Sequence, residues 1–292
     1  MPHFSLSELW QIPRKVQESC TVHDVFRISS EILGEGSYGK VQPACDGDSC
    51  RYVAKRVKLD SSRFPEPYLH NVFFAECAIS QYAGRHGFGI PVHDFYLCDE
   101  GHTGMMIMDR FTRDLLDIAD DLSWPDLKQL LAKVHTMHQC RILHRDLFLK
   151  NTMYRKNHSD GQREIRIIDF GMSLPFEHDI PAVFRAIDFI NLLSDVPEGE
   201  PKEQCWMTVK KYVGTEALHK AQTWVDTHQS TCQSEFALLP HIPEKWIEWM
   251  GPATVDTLVW SVRCDEKLDR RVVHLTKERV KKVLAAHEVM VG

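Results

Sequence analysis

The stretch "ILGEGSYGKV", residues 32–41, spaces Gly34, Gly36 and Gly39 as G-x-G-x-x-G. The residues just past Gly39 constrain the fold more than the glycines do. A dinucleotide-binding βαβ unit needs a helix to open at the third glycine. Here the chain runs on as "KVQPACDGDSC", with alternating character, Pro43 and an Asp-Gly-Asp turn signal. Proline and the turn exclude a helix at that point, so the glycines join two antiparallel strands. In such a loop the backbone N–H groups can approach phosphate oxygens closely. A glycine-rich hairpin without a ligand is the other reading of this stretch taken alone.

The strand "RYVAKRVKL" comes next, and on it Val53 and Lys55 share one face. An inward lysine needs an anionic partner, because a buried unpaired ammonium is costly. A phosphate or a carboxylate would serve. Lys58 is the rival, but it falls on the opposite face, near the polar end of the strand. Glu76, inside the apolar helical run "VFFAECAIS", is the natural carboxylate.

The same pattern of signals organises the chain. Strand-like runs occur at "VFRISSEIL", "KVQPA", "RYVAKRVKL", "GIPVHDFYL" and "TGMMIMDRF", with a helix over 67–83. From about residue 112 the character is helical. In "SWPDLKQLLAKVHTMHQC", Ser123 is an N-cap with Asp126 three residues later, and Leu127, Leu130, Leu131, Val134 and Met137 recur at helical spacing. The loop "HRDLFLKN" is next, then strands "TMYR" and "EIRIIDF" around a turn, then mostly helix and loop. This order predicts an α+β protein of two lobes, about 25–110 and 111–292, after an N-terminal extension over 1–24. In that extension Leu6, Leu9 and Trp10 would line a short amphipathic helix.

Composition narrows the function classes. Lys+Arg 35 against Asp+Glu 41 gives a net charge of −6, which offers no global attraction to nucleic acid or an anionic membrane. No apolar run is long enough for a membrane span, and the N-terminus lacks a signal-like segment. Nine cysteines, odd in number and never spaced CxxC, suit buried thiols in a reducing compartment better than a disulfide framework. A soluble intracellular protein is expected, without a specific nucleic-acid partner.

The strongest signal is "HRDLFLKN", His144 to Asn151, followed by "IIDFG" with Asp169, Phe170 and Gly171. Together with Gly34, Gly36, Gly39, Val41 and Lys55 of "YVAK", in this order, the chain resembles the eukaryotic-type protein kinase family over roughly residues 26–190. The resemblance implies a bilobal kinase fold and an ATP- and Mg²⁺-dependent enzyme acting on a protein hydroxyl. It implies that Gly34, Glu35, Gly36, Ser37, Tyr38 and Gly39 form a lid over the ATP phosphates, with Leu33, Val41 and Val53 beside the adenine. Met108 takes the gatekeeper position, and Asp109 to Phe111 form the hinge that holds adenine. Lys55, held by Glu76, would contact the α- and β-phosphates, Asp169 and Asn151 would bind Mg²⁺, and Asp146 would accept the proton of the substrate hydroxyl.

The chain also departs from the family pattern. Phe148 stands where Ser/Thr kinases have lysine, and Lys150 stands where tyrosine kinases often have arginine, so the loop is of mixed type with Ser/Thr favoured. After Asp169-Phe170-Gly171 there is no A-P-E, and Ser173 is the only hydroxyl before the next helix. This truncated activation segment resembles small atypical kinases of the RIO type, and it predicts activity without phosphorylation there, leaving Arg145 no phosphorylated partner. Asp188, on the next helix, is either an anchor for the catalytic loop or a plain exposed residue.

Two other functions compete. Small-molecule phosphotransferases of the aminoglycoside or choline type usually lack the residues present here as Arg145 and Phe170. A pseudokinase scaffold would have lost Lys55, Asp146 or Asp169. A zinc site from His135, His138, Cys140 and His144 has no second ligand pair beside it. The basic run Lys277, Arg279, Lys281 and Lys282 reads as a solvated helix face before it reads as a docking face.

Overall fold

The computed structural model describes residues 4, 15–20, 25–36, 39–59, 66–157, 161–176 and 178–227. The expected helix around Leu6, Leu9 and Trp10, the loop tip Ser37 and Tyr38, and the basic run 277–282 lie outside the described residues. The chain divides into a sheet unit, residues 7–112 and 168–171, and a helical unit, residues 1–6, 113–167 and 172–292.

In the sheet unit the strands β1 (Arg27–Ile28), β2 (Gly34–Gly36), β3 (Gly39–Asp46), β4 (Ser49–Lys58), β5 (Val92–Cys98) and β6 (Thr103–Asp109) form one antiparallel sheet. Its order is β1-β3-β4-β6-β5, with β2 on β3. No helix opens at the glycines: β2 and β3 pair as Gly34↔Val41 and Gly36↔Gly39. The next turn is Gly47–Asp48 between paired Asp46 and Ser49, with Gly47 at φ 59°, where glycine carries no Cβ penalty. The strand expected across 25–33 is interrupted. Ser29 Oγ accepts the Glu31 N–H at 3.1 Å, and a local side-chain bond of this kind competes with the ladder.

Period-two alternation gives the sheet two faces. Ala54, Tyr96, Cys98, Met105 and Ile107 join Cys20, Phe26 and Ala44 in one buried cluster, with Ile28 and Tyr52 packed against it. The other face carries Val53 and Lys55, and against this sheet lies helix α1 (Glu66–Arg85). The approach is close: a Cβ on Gly104 would come within 2.6 Å of the Phe73 ring.

The expectation of buried thiols rather than disulfides holds for Cys77 in this unit and fails for its other four cysteines. Cys20 pairs with Cys98, and Cys45 with Cys50, as disulfides, while Cys77, Cys140 and Cys205 are buried outside them. CxxC spacing and cysteine parity cannot report a pair separated by 78 positions, nor one closed across a hairpin. Residues 15–17 run beside edge strand β5, with a parallel bridge Val16↔Leu97.

The helical unit contains β7 (Arg113–Asp114), α2 (Trp124–Gln139), β8 (Ile142–Leu143), β9 (Thr152–Lys156), β10 (Arg163–Ile167), β11 (Leu174–Pro175), α3 (Ala182–Ser194), α4 (Glu200–Val213) and α5 (Thr215–Thr227). Helix α2 starts at a capping box. Asp126 Oδ2 accepts from the Ser123 backbone N–H at 3.1 Å and from its hydroxyl at 2.6 Å. Its stripe Leu127, Leu130, Leu131, Val134 and Met137 is buried as the periodicity requires. Helix α3 packs against α4 and α5, and β8 pairs with β11, bracketing the catalytic-loop sequence. An antiparallel sheet in one unit and helices in the other make the α+β organisation that the motifs imply.

Gly104→Ala should press a methyl into a fully buried ring and cost about 1–3 kcal/mol. Urea denaturation should show a lower midpoint with an unchanged slope.

Candidate functional site

The sheet unit assembles one group of the expected residues. The lysine on β4 meets the α1 carboxylate, Lys55 Nζ to Glu76 Oε1 at 2.6 Å, and also Asp169 Oδ1 at 2.8 Å. Glu76 is only 8% exposed, so it is not the surface position that a helix glutamate could have been. Burial by itself lowers the pKa of the Lys55 ammonium, but the charges of Glu76 and Asp169 outweigh it and hold that pKa above the ordinary lysine value. Burial, helped by the Asp169 charge, pushes Glu76 upward against the pull of Lys55. Lys58, the rival, is exposed.

Phe170 is buried beside Phe88, with ring centroids 6.2 Å apart, which fixes the segment carrying Asp169. Asp169 itself lies at φ 62°, a left-handed conformation that costs a non-glycine residue about 1–3 kcal/mol and persists only where neighbours impose it.

The glycines divide by role. A Cβ on Gly39 would lie 2.0 Å from the Arg56 carbonyl oxygen, whereas one on Gly34 would meet nothing within 4 Å. Gly39 is therefore required by the packing of β3 on β4. At Gly34 the fold demands nothing, and a side chain there would meet open space. Glu35 is exposed and pairs with Lys40 at 3.2 Å, and Leu33 is exposed, its N–H bonded to the Val41 carbonyl. Val53 is buried, and Met108 is half-buried opposite it. Asp109 accepts from His93 Nε2 at 2.7 Å, and Phe111 is buried.

The helical unit assembles the other group. The loop after β8 is held from inside by one carboxylate. Asp188 of α3, 1% exposed, accepts the backbone N–H of His144 at 2.9 Å on Oδ2 and that of Arg145 at 2.9 Å on Oδ1. His138 Nε2–H donates to the same Oδ2 at 3.0 Å. Asp195, one residue past α3, accepts the Leu149 N–H at 2.9 Å. Asp188 is thus the anchor rather than an exposed residue. Burial pushes its pKa up, but the hydrogen bonds from His138 and the His144 backbone hold it below the usual carboxylate range. Burial keeps the His138 ring below its ordinary value despite Asp188, so the pair is a neutral imidazole donating to a carboxylate.

Within the loop, Asn151 Nδ2 donates to Asp146 Oδ2 at 2.9 Å and to the Asp146 carbonyl at 2.7 Å. Lys150 Nζ stands 3.8 Å from Asp146 Oδ2 and 5.2 Å from the Phe148 ring centroid. Arg145 donates to the Met172 carbonyl at 2.9 Å, and buried Ser173 donates to the His144 carbonyl at 3.5 Å. The residues of the alternative zinc reading have other uses: His138 serves Asp188, and His135 stacks on Tyr212 at 4.1 Å.

The sequence reading missed His138 and Asp195 as loop anchors. A signal existed for the second: Asp188 and Asp195 are seven residues apart, two turns along one helical face.

A sequence model of the family described as "Protein kinase domain" matches residues 28–187. NUAK family SNF1-like kinase 2 from Homo sapiens is 28% identical over 151 residues, covering 49% of this chain and 22% of that protein. Cyclin-dependent kinase C-1 from Oryza sativa subsp. japonica is 26% identical over 174 residues, and cyclin-dependent kinase C-2 from Arabidopsis thaliana 27% over 172, each covering 51% of this chain and 32% of the relative. The chain therefore spans a third or less of the length of these relatives.

Asp188→Ala should take the acceptor from three N–H donors, the His144 and Arg145 backbone groups and the His138 ring, and lower stability by about 3 kcal/mol. Because the folded pKa of Asp188 is depressed, its contribution is complete at neutral pH and is lost as pH falls below about 4. Urea midpoints of the wild type and Asp188→Asn should therefore differ most at neutral pH and converge in acid.

Proposed function

Because the chain belongs to the protein kinase family, we propose that it transfers the γ-phosphoryl group of ATP to a serine or threonine hydroxyl of a protein substrate. The observation that carries this proposal is Lys55 held between Glu76 and Asp169. Phosphoryl transfer needs little covalent help and much positioning and charge neutralisation. Lys55, kept protonated, would hold the α- and β-phosphates, under backbone N–H groups of the loop that carries Gly34, Gly36 and Gly39.

Kinases of this family use ATP with Mg²⁺ in general, and the donor set here suits that cation. Asp169 offers a carboxylate. The Asn151 amide nitrogen is occupied by Asp146, so its carbonyl oxygen is the atom that would ligate a hard cation. Charge balance also calls for one: a single ammonium already faces two carboxylates, and a triphosphate adds more negative charge. Bound Mg²⁺ would neutralise that charge. Asp146, oriented by Asn151, would take the proton of the attacking hydroxyl. Leu33, Val41, Val53, Met108 and the hinge Asp109–Phe111 would receive adenine.

We also propose that activity does not depend on phosphorylation between residues 172 and 181. The support is that Ser173 is buried with its hydroxyl on the His144 carbonyl, and that Arg145 already donates to Met172. Among the described residues no helix is long and apolar enough to cross a membrane.

Purified chain given Mg²⁺, γ-labelled ATP and generic Ser/Thr and Tyr substrates should label protein. Asp169→Asn should lower the rate by at least about 100-fold. Label found on small acceptors and on no protein would overturn the proposal, and phosphoamino-acid analysis decides the hydroxyl type, which the mixed loop of Phe148 and Lys150 leaves open. Ser173→Ala should keep activity within about two-fold of wild type; a total loss with unchanged thermal unfolding would refute independence from phosphorylation there.

A further inference from the structure

Residues 15–17 hydrogen-bond to the edge of β5, with Gln17 N–H to the Leu97 carbonyl at 2.8 Å and Leu97 N–H to the Lys15 carbonyl at 2.9 Å. Lys15 also pairs with Asp94 at 2.7 Å. At the end of this segment Cys20 enters the buried cluster on one face of the sheet and pairs with Cys98. Each sulfur also has a hydrogen-bond acceptor in reach. Cys20 Sγ lies 3.3 Å from Asp99 Oδ2, and Cys98 Sγ lies 3.6 Å from the Thr103 carbonyl. Reduction would therefore bury two thiols with partners in place, avoiding orphaned polar groups. The hairpin pair Cys45–Cys50 has no comparable acceptors among the described residues.

The turn after Cys98 is a junction. Asp99 Oδ2 accepts from Arg56 Nη2 at 2.6 Å, and the Gly101 carbonyl accepts from His70 Nε2 at 2.8 Å. The Leu59 N–H reaches the His102 carbonyl at 2.8 Å. Asp99 and Glu100 both adopt left-handed φ, 52° and 58°, so the turn depends on these neighbours to hold its shape. Arg56 adjoins Lys55 on β4, and His70 lies on α1 with Glu76. The two elements that bring Lys55 to Glu76 both bond to the turn beside Cys98.

We propose that Cys20 and Cys98 form a reversible thiol–disulfide latch. Its oxidised state fastens residues 15–20 to β5 and steadies the Asp99–Gly101 turn, and with it the Lys55–Glu76 pair. In the oxidising direction the two sulfurs bond and give up two electrons and two protons. A small disulfide oxidant such as glutathione disulfide accepts them, its own S–S bond breaking to two thiols. In the reduced state the tether is lost, and the Cys20 S–H shares with Arg56 the Asp99 oxygen that otherwise serves Arg56. The part of the proposal concerning ATP affinity rests on the kinase assignment.

The test uses the full chain equilibrated in glutathione disulfide or in dithiothreitol. Peptide mapping after alkylation under denaturing conditions, thermal unfolding and the KM for ATP are then measured in both states. Cys20 and Cys98 should be joined only in the oxidised sample, whose Tm should be higher by about 5 °C. Its KM for ATP should be lower by about three-fold, a modest coupling for two sites in one sheet unit. Cys20→Ser made in the Cys45→Ser/Cys50→Ser background should show the reduced-state Tm in both buffers, and Cys98→Ser in that background should do the same if one variant folds poorly. The Cys45→Ser/Cys50→Ser double variant should keep the response. Cys20 and Cys98 remaining fully alkylated after oxidation, or Cys20→Ser in that background responding like wild type, would overturn the latch. A Tm shift with no change in KM would overturn its coupling to Lys55. Mapping and Tm need no enzymatic activity, so they stay decisive if the kinase assignment fails.

Discussion

A half-buried lysine ammonium held between two carboxylates is the contact around which the sheet unit is arranged. It requires a strand whose inward face carries Lys55 and a helix close enough to deliver Glu76 to 2.6 Å. Both requirements trace to side-chain size. Gly104 on β6 leaves room for the Phe73 ring of α1, and Gly39 on β3 lets the Arg56 carbonyl of β4 come near. An ion pair so little exposed is weak evidence for stability, because desolvation offsets much of the attraction. Its value lies in geometry: removing Lys55 would strand the buried Glu76 carboxylate, and removing Glu76 would leave Lys55 to Asp169 alone.

The helical unit solves a similar problem with hydrogen bonds instead of an ion pair. A loop that must present Asp146 and Asn151 cannot satisfy all of its own backbone, because apart from the single 3₁₀ turn Leu149–Asn151 its residues belong to neither helix nor sheet. Asp188 takes two of its N–H groups and Asp195 a third, while His138 occupies the Asp188 oxygen from the other side. Each bond is charge-assisted, which makes it stronger than an amide–carbonyl bond. The left-handed Arg145, at φ 72°, sits between these anchors, where its strain is held by bonds on both sides.

Features carried by short, contiguous patterns were legible in the sequence. The glycine hairpin came from Pro43 and the Asp-Gly-Asp turn, the inward lysine from strand alternation, the start of α2 from Ser123 and Asp126, and the family from four motifs in order. Features that depend on which distant residues meet were not. Cys20 and Cys98 are brought together by an edge-strand contact with no local signature, so counting and spacing misled. Asp188 reads in sequence as either anchor or surface residue because a helix position does not reveal what packs over it. His138 carries no sequence signal for its role under the loop, since its acceptor arrives from another helix. At β1 the failure was local: a serine hydroxyl took an N–H that the alternating pattern had assigned to the sheet.

The family match ends at residue 187, immediately before the carboxylate that holds the catalytic loop and eight residues before the second one. Sequence likeness and mechanical self-sufficiency thus have different boundaries in this chain. A fragment trimmed to the recognisable region would contain every motif residue and still lose the support beneath two of them. Any attempt to produce a smaller version for crystallisation or screening has to carry α3 through Asp195, and the helices α4 and α5 that keep α3 in place.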